Sequence, residues 1–227
     1  MKRRTFLGAT GSAAGLLGFL EGLGAQSALG AEKASRPGAR SREEFNRLIA
    51  DLEARSRKLA SLPKMDCRFL HLMVRATRAK SVLELGTGYG FATIWMGLAL
   101  EETDGKITTV EILADRAQAA RKNVGDARLS ERVIFKEGDA HQVVPTLDGT
   151  FDFVLLNADK DGQMDYFQKL YPKKLLPGGL LLAYGAIQRE EKMKDYLDAL
   201  AQHPDFDTVV LSASMEDGFS VSCRRRV

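Results

Sequence analysis

The sequence predicts an α/β fold with a mostly parallel sheet and helices on both of its faces. After Lys80, short apolar runs alternate with segments of helical periodicity, a pattern typical of parallel sheets that are covered on both sides. The first apolar run leads directly into a glycine-rich loop, as it does in nucleotide-binding α/β domains. The last two runs are joined by a short turn, which predicts an antiparallel strand near the C-terminus.

Periodicity defines the individual elements. The segments with the composition of strands are 81–85, 107–111, 133–137, 151–157, 180–184, 208–211 and 219–223. Apolar residues at helical spacing predict helices over 42–60, 69–74, 92–100, 114–123, 165–175 and 188–202, with a short helical turn at 141–145. One domain accommodates all of them, since the chain has 227 residues of which 44% are hydrophobic.

Residues 1–31 are predicted to be an export signal. A basic start at Lys2, Arg3 and Arg4 precedes a Gly/Ala/Leu stretch, and the paired arginines resemble a twin-arginine signal. The stretch is too short and too rich in glycine for a transmembrane helix, so no membrane span is expected. Residues 32–41 are then a linker, and residues 42–227 form a domain that functions outside the cytoplasm. The alternatives are an uncleaved loose membrane anchor, or a disordered basic leader on a cytoplasmic protein.

Charge and cysteine content exclude some classes of function. The formal charge is +3, but three positive charges and the negative charge of Glu21 lie in the leader, so the remainder carries only +1. A nearly neutral domain does not indicate a nucleic-acid partner. Cys67 and Cys223 lack the spacing of metal ligands, and their pattern leaves open whether they are free thiols or a disulfide.

The glycine-rich loop follows the first predicted strand and precedes a helix. Gly86, Gly88 and Gly90 let the backbone approach a ligand at the carboxyl edge of the sheet, where open α/β sheets bind their ligands. A glycine triplet alone is weak evidence, because dinucleotide and nucleoside enzymes both use one.

Two acidic residues narrow the choice of ligand. Glu84, two positions before Gly86, provides an anion that suits a cationic ammonium group and repels a pyrophosphate, which favours a sulfonium amino acid over NAD. Glu111 ends the next strand, where a carboxylate commonly accepts hydrogen bonds from ribose hydroxyls. The alternatives are a helix-capping or surface acid at Glu84 and a solvated strand end at Glu111. Asp139, after the third strand, would accept from the adenine amine or from nearby backbone amides.

From about residue 63 to its end, the sequence resembles the small O-methyltransferases typified by caffeoyl-CoA and catechol O-methyltransferases. The resemblance is carried by residues 82–90, 108–111, 137–140, 151–160, 176–179 and 203–208. It implies a Rossmann-like fold with a seven-stranded sheet, S-adenosylmethionine as cofactor, often a homodimer, and methyl transfer to a phenolic or catechol-like hydroxyl with a divalent cation. The residues that we expect to bind the cofactor are Glu84, Gly86, Thr87, Gly88, Tyr89, Gly90, Glu111, Asp139, Ala140 and Asn157.

The sequence departs from the family at the cation site. Asn157, Tyr184 and Gly185 stand where the family has an aspartate and an Asp-Asn pair as ligands. A hard cation such as Mg²⁺ prefers carboxylate oxygens, so we expect no catalytic metal. Asp159 and Asp161 flank Lys160 and are expected to pair with it or to face solvent.

Lys160 matches the family lysine that takes the proton of the acceptor hydroxyl, and it is the predicted catalytic residue. Tyr184 either packs at its strand end or contacts the substrate, and we expect His141 to be a structural histidine. The leading prediction is a metal-independent O-methyltransferase for a small hydroxylated acceptor. The alternatives are a non-catalytic S-adenosylmethionine-binding protein, which an export signal favours because the cofactor is made in the cytoplasm, and a nicotinamide-dependent reductase, which depends on the glycine loop alone.

Overall fold

The computed structural model describes residues 40–56, 62–213 and 217–226. The predicted leader and nearly all of the linker lie outside these residues, as does the predicted end of the first helix. Seven α-helices are present in the described part, and their bounds are α1 Arg42–Ser56, α2 Lys64–Thr77, α3 Phe91–Thr103, α4 Ala114–Asp126, α5 Ala140–Thr146, α6 Gln163–Leu170 and α7 Lys194–Gln202. No helix among these residues is long and apolar enough to cross a membrane.

A seven-stranded sheet forms the centre of the domain, which confirms the predicted α/β fold. The strands are β1 Ser81–Leu85, β2 Lys106–Glu111, β3 Val133–Glu137, β4 Phe151–Leu156, β5 Leu175–Tyr184, β6 Phe206–Leu211 and β7 Phe219–Arg224. Their order across the sheet is β3-β2-β1-β4-β5-β7-β6. The first five strands are parallel, and β7 runs antiparallel to both β5 and β6. The chain order reverses between β1 and β4, so a crevice opens there at the carboxyl edge.

Apolar side chains of the sheet alternate between two hydrophobic clusters, one on each face. In β1, Val82 belongs to the cluster that includes α2 and α3, whereas Leu83 and Leu85 belong to the cluster that includes α6 and α7. Helix α3 is buried along almost its whole length because its residues are apolar on all sides. The glycine loop between β1 and α3 is therefore fixed at both ends by buried elements.

Two predicted helices are shorter than their apolar patterns indicate. The helix predicted over 165–175 ends at Leu170, because Pro172 lacks a backbone N–H and its predecessor Tyr171 is extended, with φ −99° and ψ 139°. Residues 171–174 then form a turn, and β5 begins at Leu175, five residues earlier than predicted. The helix predicted over 188–202 begins as a short 3₁₀ helix and becomes α-helical only at Lys194.

The two cysteines are free thiols in this structure. Cys67 is buried in α2, and burial raises the pKa of its thiol. Cys223 lies in β7 and is half-buried.

Candidate active site

A cavity of about 1150 Å³ opens at the carboxyl edge of the parallel strands. Its wall combines the loops after β1, β2, β3 and β4 with Leu62 and Pro63, which precede α2, and with Tyr184 and Asp217 near the antiparallel strand. The cavity therefore lies at the carboxyl edge, as the sequence predicts, and at the point where the strand order reverses.

The glycine loop forms the floor of this cavity in a conformation that few other residues can adopt. Gly86 has φ +91°, and a Cβ at this position would lie 2.6 Å from the carbonyl oxygen of Asn157. Gly88 has φ +55°, and a Cβ there would meet no atom within 4 Å. Gly86 thus allows the close approach of β1 and β4, whereas Gly88 leaves space in front of the loop.

Glu111 connects the end of β2 to the glycine loop. One carboxylate oxygen accepts the backbone N–H of Gly88 at 2.7 Å, and the other accepts that of Leu113 at 3.1 Å. The side chain is 5% exposed and lines the cavity, so Glu111 is not the solvated strand end of the alternative interpretation. A carboxylate has further lone pairs for hydroxyl groups of a ligand.

Glu84 is fully buried beneath the loop and is not part of the cavity wall. Oε2 accepts hydrogen bonds from the hydroxyls of Thr93, at 2.5 Å, and Thr109, at 2.7 Å. Within the described part of the chain, Oε1 has no hydrogen-bond partner. Burial raises the pKa of Glu84 to about 7, although both threonines counteract the shift. The alternatives of a helix cap and a surface acid are wrong.

The segment after β3 forms the wall of the cavity next to Glu111. Asp139 is the N-cap of α5, and one of its oxygens accepts the backbone N–H of His141 at 2.9 Å. Asp139, Ala140 and His141 all line the cavity. Both ring nitrogens of His141 face carboxylates, so this residue has satisfied hydrogen bonds, as expected for a structural histidine.

Another group of residues at the cavity follows β4 and β5. Asn157 lines the cavity, and its amide nitrogen donates to the carbonyl oxygen of Gly86 at 3.3 Å. The Lys160 amine lies 5.4 Å from the centre of the Tyr184 ring, and its side chain passes beside Gly185. This amine is buried and has no hydrogen-bond partner among residues 40–56, 62–213 and 217–226. Burial lowers the pKa of Lys160 to about 8, although Asp159 and Asp217 oppose the shift.

Tyr184 combines strand packing with a place in the cavity wall. Its ring packs against Phe219, with the ring centres 5.2 Å apart, and its hydroxyl donates to Asp217 at 2.6 Å. Burial and this hydrogen bond raise the pKa of Tyr184, so the hydroxyl keeps its proton. Backbone bonds from Ile187 and Gln188 to the Asp217 carbonyl hold Asp217 in place.

The two aspartates that flank Lys160 lie partly exposed and have other partners. The hydroxyl of Tyr166 and a ring nitrogen of His141 bond the Asp159 carboxylate, which interacts with Lys160 only electrostatically. Asp161 pairs with Lys192 at 3.4 Å. Of the two expected outcomes, exposure to solvent is what the structure shows, with the Asp159 and Asp161 side chains 51% and 71% exposed. Neither pairs with Lys160 through a hydrogen bond, because the lysine side chain extends instead toward Tyr184 and Gly185.

The structure brings most of the predicted residues together. The cavity wall includes Gly86, Thr87, Gly88, Tyr89, Glu111, Asp139, Ala140, Asn157 and Tyr184, but not Glu84, Gly90 or Lys160. Gly90 is the N-cap of α3, packed against Ala120. Sequence reasoning missed Ile112, Arg116 and Asp217 as wall residues. The sequence does contain a signal for Asp217 as a site residue. It is an acidic residue just before an antiparallel strand, and such a strand begins at the carboxyl edge of the parallel strands.

Comparisons with known proteins agree with this architecture. The profile of the O-methyltransferase family matches residues 40–214. The chain is 30% identical over 172 residues to a catechol O-methyltransferase from Mycobacterium tuberculosis, covering 70% of this chain and 78% of that protein. It is 35% identical over 132 residues to one from Niastella koreensis, covering 56% of this chain and 58% of that protein.

Solved structures show the same fold. The cofactor-bound protein Rv0187 from MTB superposes with a TM-score of 0.70 at 25% identity, covering 82% of this chain and 92% of that one. An O-methyltransferase from Bacillus cereus in complex with SAH superposes with a TM-score of 0.70 at 22% identity and the same coverage, which supports the fold alone. On the match of the family profile to residues 40–214 and the likeness to the mycobacterial relative, the chain belongs to the O-methyltransferase family.

Proposed function

We propose that this protein is an S-adenosylmethionine-dependent methyltransferase that acts on the hydroxyl of a small phenolic or catechol-like acceptor without a catalytic metal. The observation that carries the proposal is a single cavity that two sets of residues share. The glycine loop, Glu111 and Asn157 line it, and so does Tyr184, whose ring centre lies 5.4 Å from the Lys160 amine. The names of the two bacterial relatives support a catechol-like acceptor.

The residues around the glycine loop fit the cofactor. The Glu111 carboxylate would accept from the ribose hydroxyls, and the space in front of Gly88 admits the ligand next to backbone N–H groups. With a pKa of about 7, Glu84 is ionised in about half of the molecules at pH 7. In that form its unpartnered Oε1 provides a buried anion below the loop, which would balance a cationic amino-acid part through the loop or an ordered water. Asp139 and Ala140 would face the adenine. The bound cofactor supplies a methyl group on a sulfonium centre.

The residues around Asn157 do not fit a divalent cation. Asn157 uses its amide nitrogen on Gly86, Tyr184 donates its proton to Asp217, and Gly185 has no side chain. A neutral amide and a protonated phenol are poor ligands for a hard cation, which favours carboxylates in near-octahedral geometry. The Lys160 side chain also lies alongside Gly185 and brings a positive charge of its own.

Lys160 supplies the base in this proposal. With a pKa of about 8, roughly a tenth of its amine is neutral at pH 7, far more than for a lysine with the ordinary pKa of 10.5. Nζ is buried and outside the cavity wall in this structure, so the proposal requires that the bound acceptor reaches it beside the Tyr184 ring. Nζ then takes the proton of the acceptor hydroxyl, and the ammonium formed stabilises the negative charge of the phenolate oxygen. Leu62 and Pro63 contribute apolar surface to the cavity wall, which suits an aromatic acceptor.

A second candidate function is a non-catalytic S-adenosylmethionine-binding protein. The replaced side chains at Asn157, Tyr184 and Gly185 favour it, as does the predicted leader.

We also propose export by a twin-arginine signal over residues 1–31 and a homodimer. Fractionation of cells that express the full chain with Arg3 and Arg4 changed to lysine tests export, and light scattering tests the dimer. An unchanged location would contradict the signal, and a monomeric mass would contradict the dimer.

One assay separates the two candidates. The full chain is incubated with S-adenosylmethionine and catechol, in parallel with EDTA and with Mg²⁺, and methylated product is measured by mass spectrometry. We expect product at the same rate in both arms. Stimulation by Mg²⁺ would contradict metal independence. Binding of S-adenosylhomocysteine by calorimetry without product from a panel of phenols would establish the non-catalytic alternative, and binding of NADH instead would contradict both.

A further inference from the structure

A hydrogen-bonded cluster next to the cavity surrounds His141, in the first turn of α5. Its Nδ1 lies 2.5 Å from an oxygen of Asp165, and its Nε2 lies 3.4 Å from an oxygen of Asp159. The Tyr166 ring stacks on the imidazole at 4.2 Å, and Lys169 also pairs with Asp165. The cluster thereby connects α5 to α6 and to the loop that follows β4.

The geometry requires a particular charge state of the imidazole. A neutral imidazole has one N–H and can donate to only one carboxylate, so donation to both Asp165 and Asp159 requires the imidazolium. Burial disfavours this charge, but the hydrogen bonds to the two carboxylates outweigh it and raise the pKa of His141. The other charged groups that face it are Lys169, through Asp165, and Asp139 at the start of its own helix.

The cluster holds the residue immediately before Lys160. The Asp159 carboxylate is bonded by the Tyr166 hydroxyl and by His141, and the side-chain amide of Gln163 donates to its carbonyl oxygen at 2.7 Å. Lys160 has no hydrogen bond to hold its amine in the described structure. The place of the amine therefore depends on its backbone and on the ring of Tyr184.

Gly162 shows how closely this loop packs on the histidine. A Cβ at Gly162 would lie 2.5 Å from Cε1 and 2.6 Å from Nε2 of His141, and it would overlap the Asp159 carboxylate. The backbone of Gly162, with φ −92° and ψ 0°, is open to alanine. A methyl group there would thus act through His141 and Asp159 rather than through backbone strain.

We propose that His141 is a positioning residue, whose imidazolium bridges Asp159 and Asp165 and so holds Lys160 where its amine meets the acceptor hydroxyl. This inference rests on the proposed function, and it adds a residue that does not itself touch the reacting atoms. Half-exposed ion pairs contribute little to stability, so we expect His141 to act on the position of the Lys160 amine rather than on the stability of the fold. A displacement of a reacting group by about 1 Å can lower the rate about 100-fold.

Two readouts test the proposal on the full chain with S-adenosylmethionine and catechol. In His141→Gln and in Gly162→Ala, we expect kcat to fall at least about tenfold with KM for catechol within about twofold. His203→Gln is the matched control, since His203 packs among Phe167, Tyr171 and Phe206 away from the cavity wall. An unchanged kcat in both variants would overturn the proposal.

The second readout does not need turnover. Acetic anhydride modifies neutral, accessible amines, and peptide mass spectrometry compares Lys160 with the exposed Lys122 in the same sample. We expect His141→Gln to raise the relative labelling of Lys160 at least about fivefold, because the loop opens more often. Equal labelling in wild type and variant would overturn the positioning role. Absence of methyl transfer in wild type would instead contradict the proposed function and leave this labelling result to decide the role of His141.

Discussion

The carboxylate of Glu111 accepts the backbone N–H of Gly88 at 2.7 Å. This contact links the end of β2 to the loop that follows β1, so the two segments keep a fixed separation. The same side chain lines the cavity and is almost fully buried. One residue therefore shapes the loop and presents an acceptor for hydroxyl groups of a ligand.

Replacement of Glu111 by glutamine is expected to weaken cofactor binding. Hydrogen bonds to a charged group contribute about 1.5–3 kcal/mol, which corresponds to about 10- to 150-fold in Kd. Calorimetry with S-adenosylhomocysteine measures the change. Glu137→Gln is the matched control, because Glu137 ends the neighbouring strand and pairs with Arg121 at the surface. Equal affinity of Glu111→Gln and wild type would remove Glu111 from the ribose site.

The two glycines of the loop are expected to respond differently to alanine. In Gly86→Ala the new Cβ would collide with the Asn157 carbonyl at 2.6 Å, so the free energy of unfolding should fall by at least about 2 kcal/mol. In Gly88→Ala the new Cβ meets no atom, so the free energy of unfolding should fall only by the cost of a non-glycine residue at positive φ, about 1 kcal/mol. Urea denaturation measures both. Equal destabilisation would contradict the close packing of Gly86 on β4.

The buried Glu84 makes stability depend on pH. Its pKa of about 7 lies above the ordinary value of 4.5, so the folded protein holds this proton more tightly than the unfolded chain. Stability from this group is therefore greatest below about pH 4.5 and declines as the pH rises to about 7, by about 3 kcal/mol in total.

Glu84→Gln is expected to abolish this dependence. The difference in free energy of unfolding between variant and wild type, measured by denaturant titration, should shift in favour of the variant by about 3 kcal/mol between pH 4.5 and pH 8. Above about pH 7, where Glu84 is mostly ionised, binding of S-adenosylmethionine should also weaken in this variant, because the buried anion is lost. A difference that stays constant with pH would show that Glu84 titrates normally.

Sequence reasoning succeeded where the signal is local. The run from Val82 to Gly90 combines a strand, a glycine loop and a helix start, and the structure has these elements in that order. The acid at the end of β2 falls in the cavity because parallel strands share one carboxyl edge. The secondary-structure propensities of the residues and the spacing of apolar, glycine and acidic positions suffice to predict such features.

The remaining features depend on tertiary contacts. The sequence predicts that Glu84 lies next to the loop. It does not predict that Glu84 is buried with Thr93 of α3 and Thr109 of β2. The bond from Tyr184 to Asp217 joins residues 33 positions apart, which no local pattern indicates. The early end of α6 depends on Pro172. Proline disfavours helical backbone in the residue before it, but the apolar residues that follow continue the helical spacing, so the sequence pattern alone extends the helix too far.

The Lys160 amine is expected to control the rate of methyl transfer through its protonation. Only the neutral amine can accept the acceptor proton, so kcat should rise about tenfold per pH unit below the pKa of about 8 and level off above it. Lys160→Met should lower kcat about 100- to 10,000-fold, which is the usual contribution of a general base, while the Kd for S-adenosylhomocysteine stays within about threefold.

Lys160→Arg provides a sharper test of the same base. The guanidinium keeps the positive charge but stays protonated at any pH used, so charge without a proton acceptor should leave kcat as low as in Lys160→Met. Lys192→Met is the control, because Lys192 is exposed and pairs with Asp161 in the same region. Substantial activity in Lys160→Arg would show that the positive charge, rather than proton transfer, is what the reaction needs at this position.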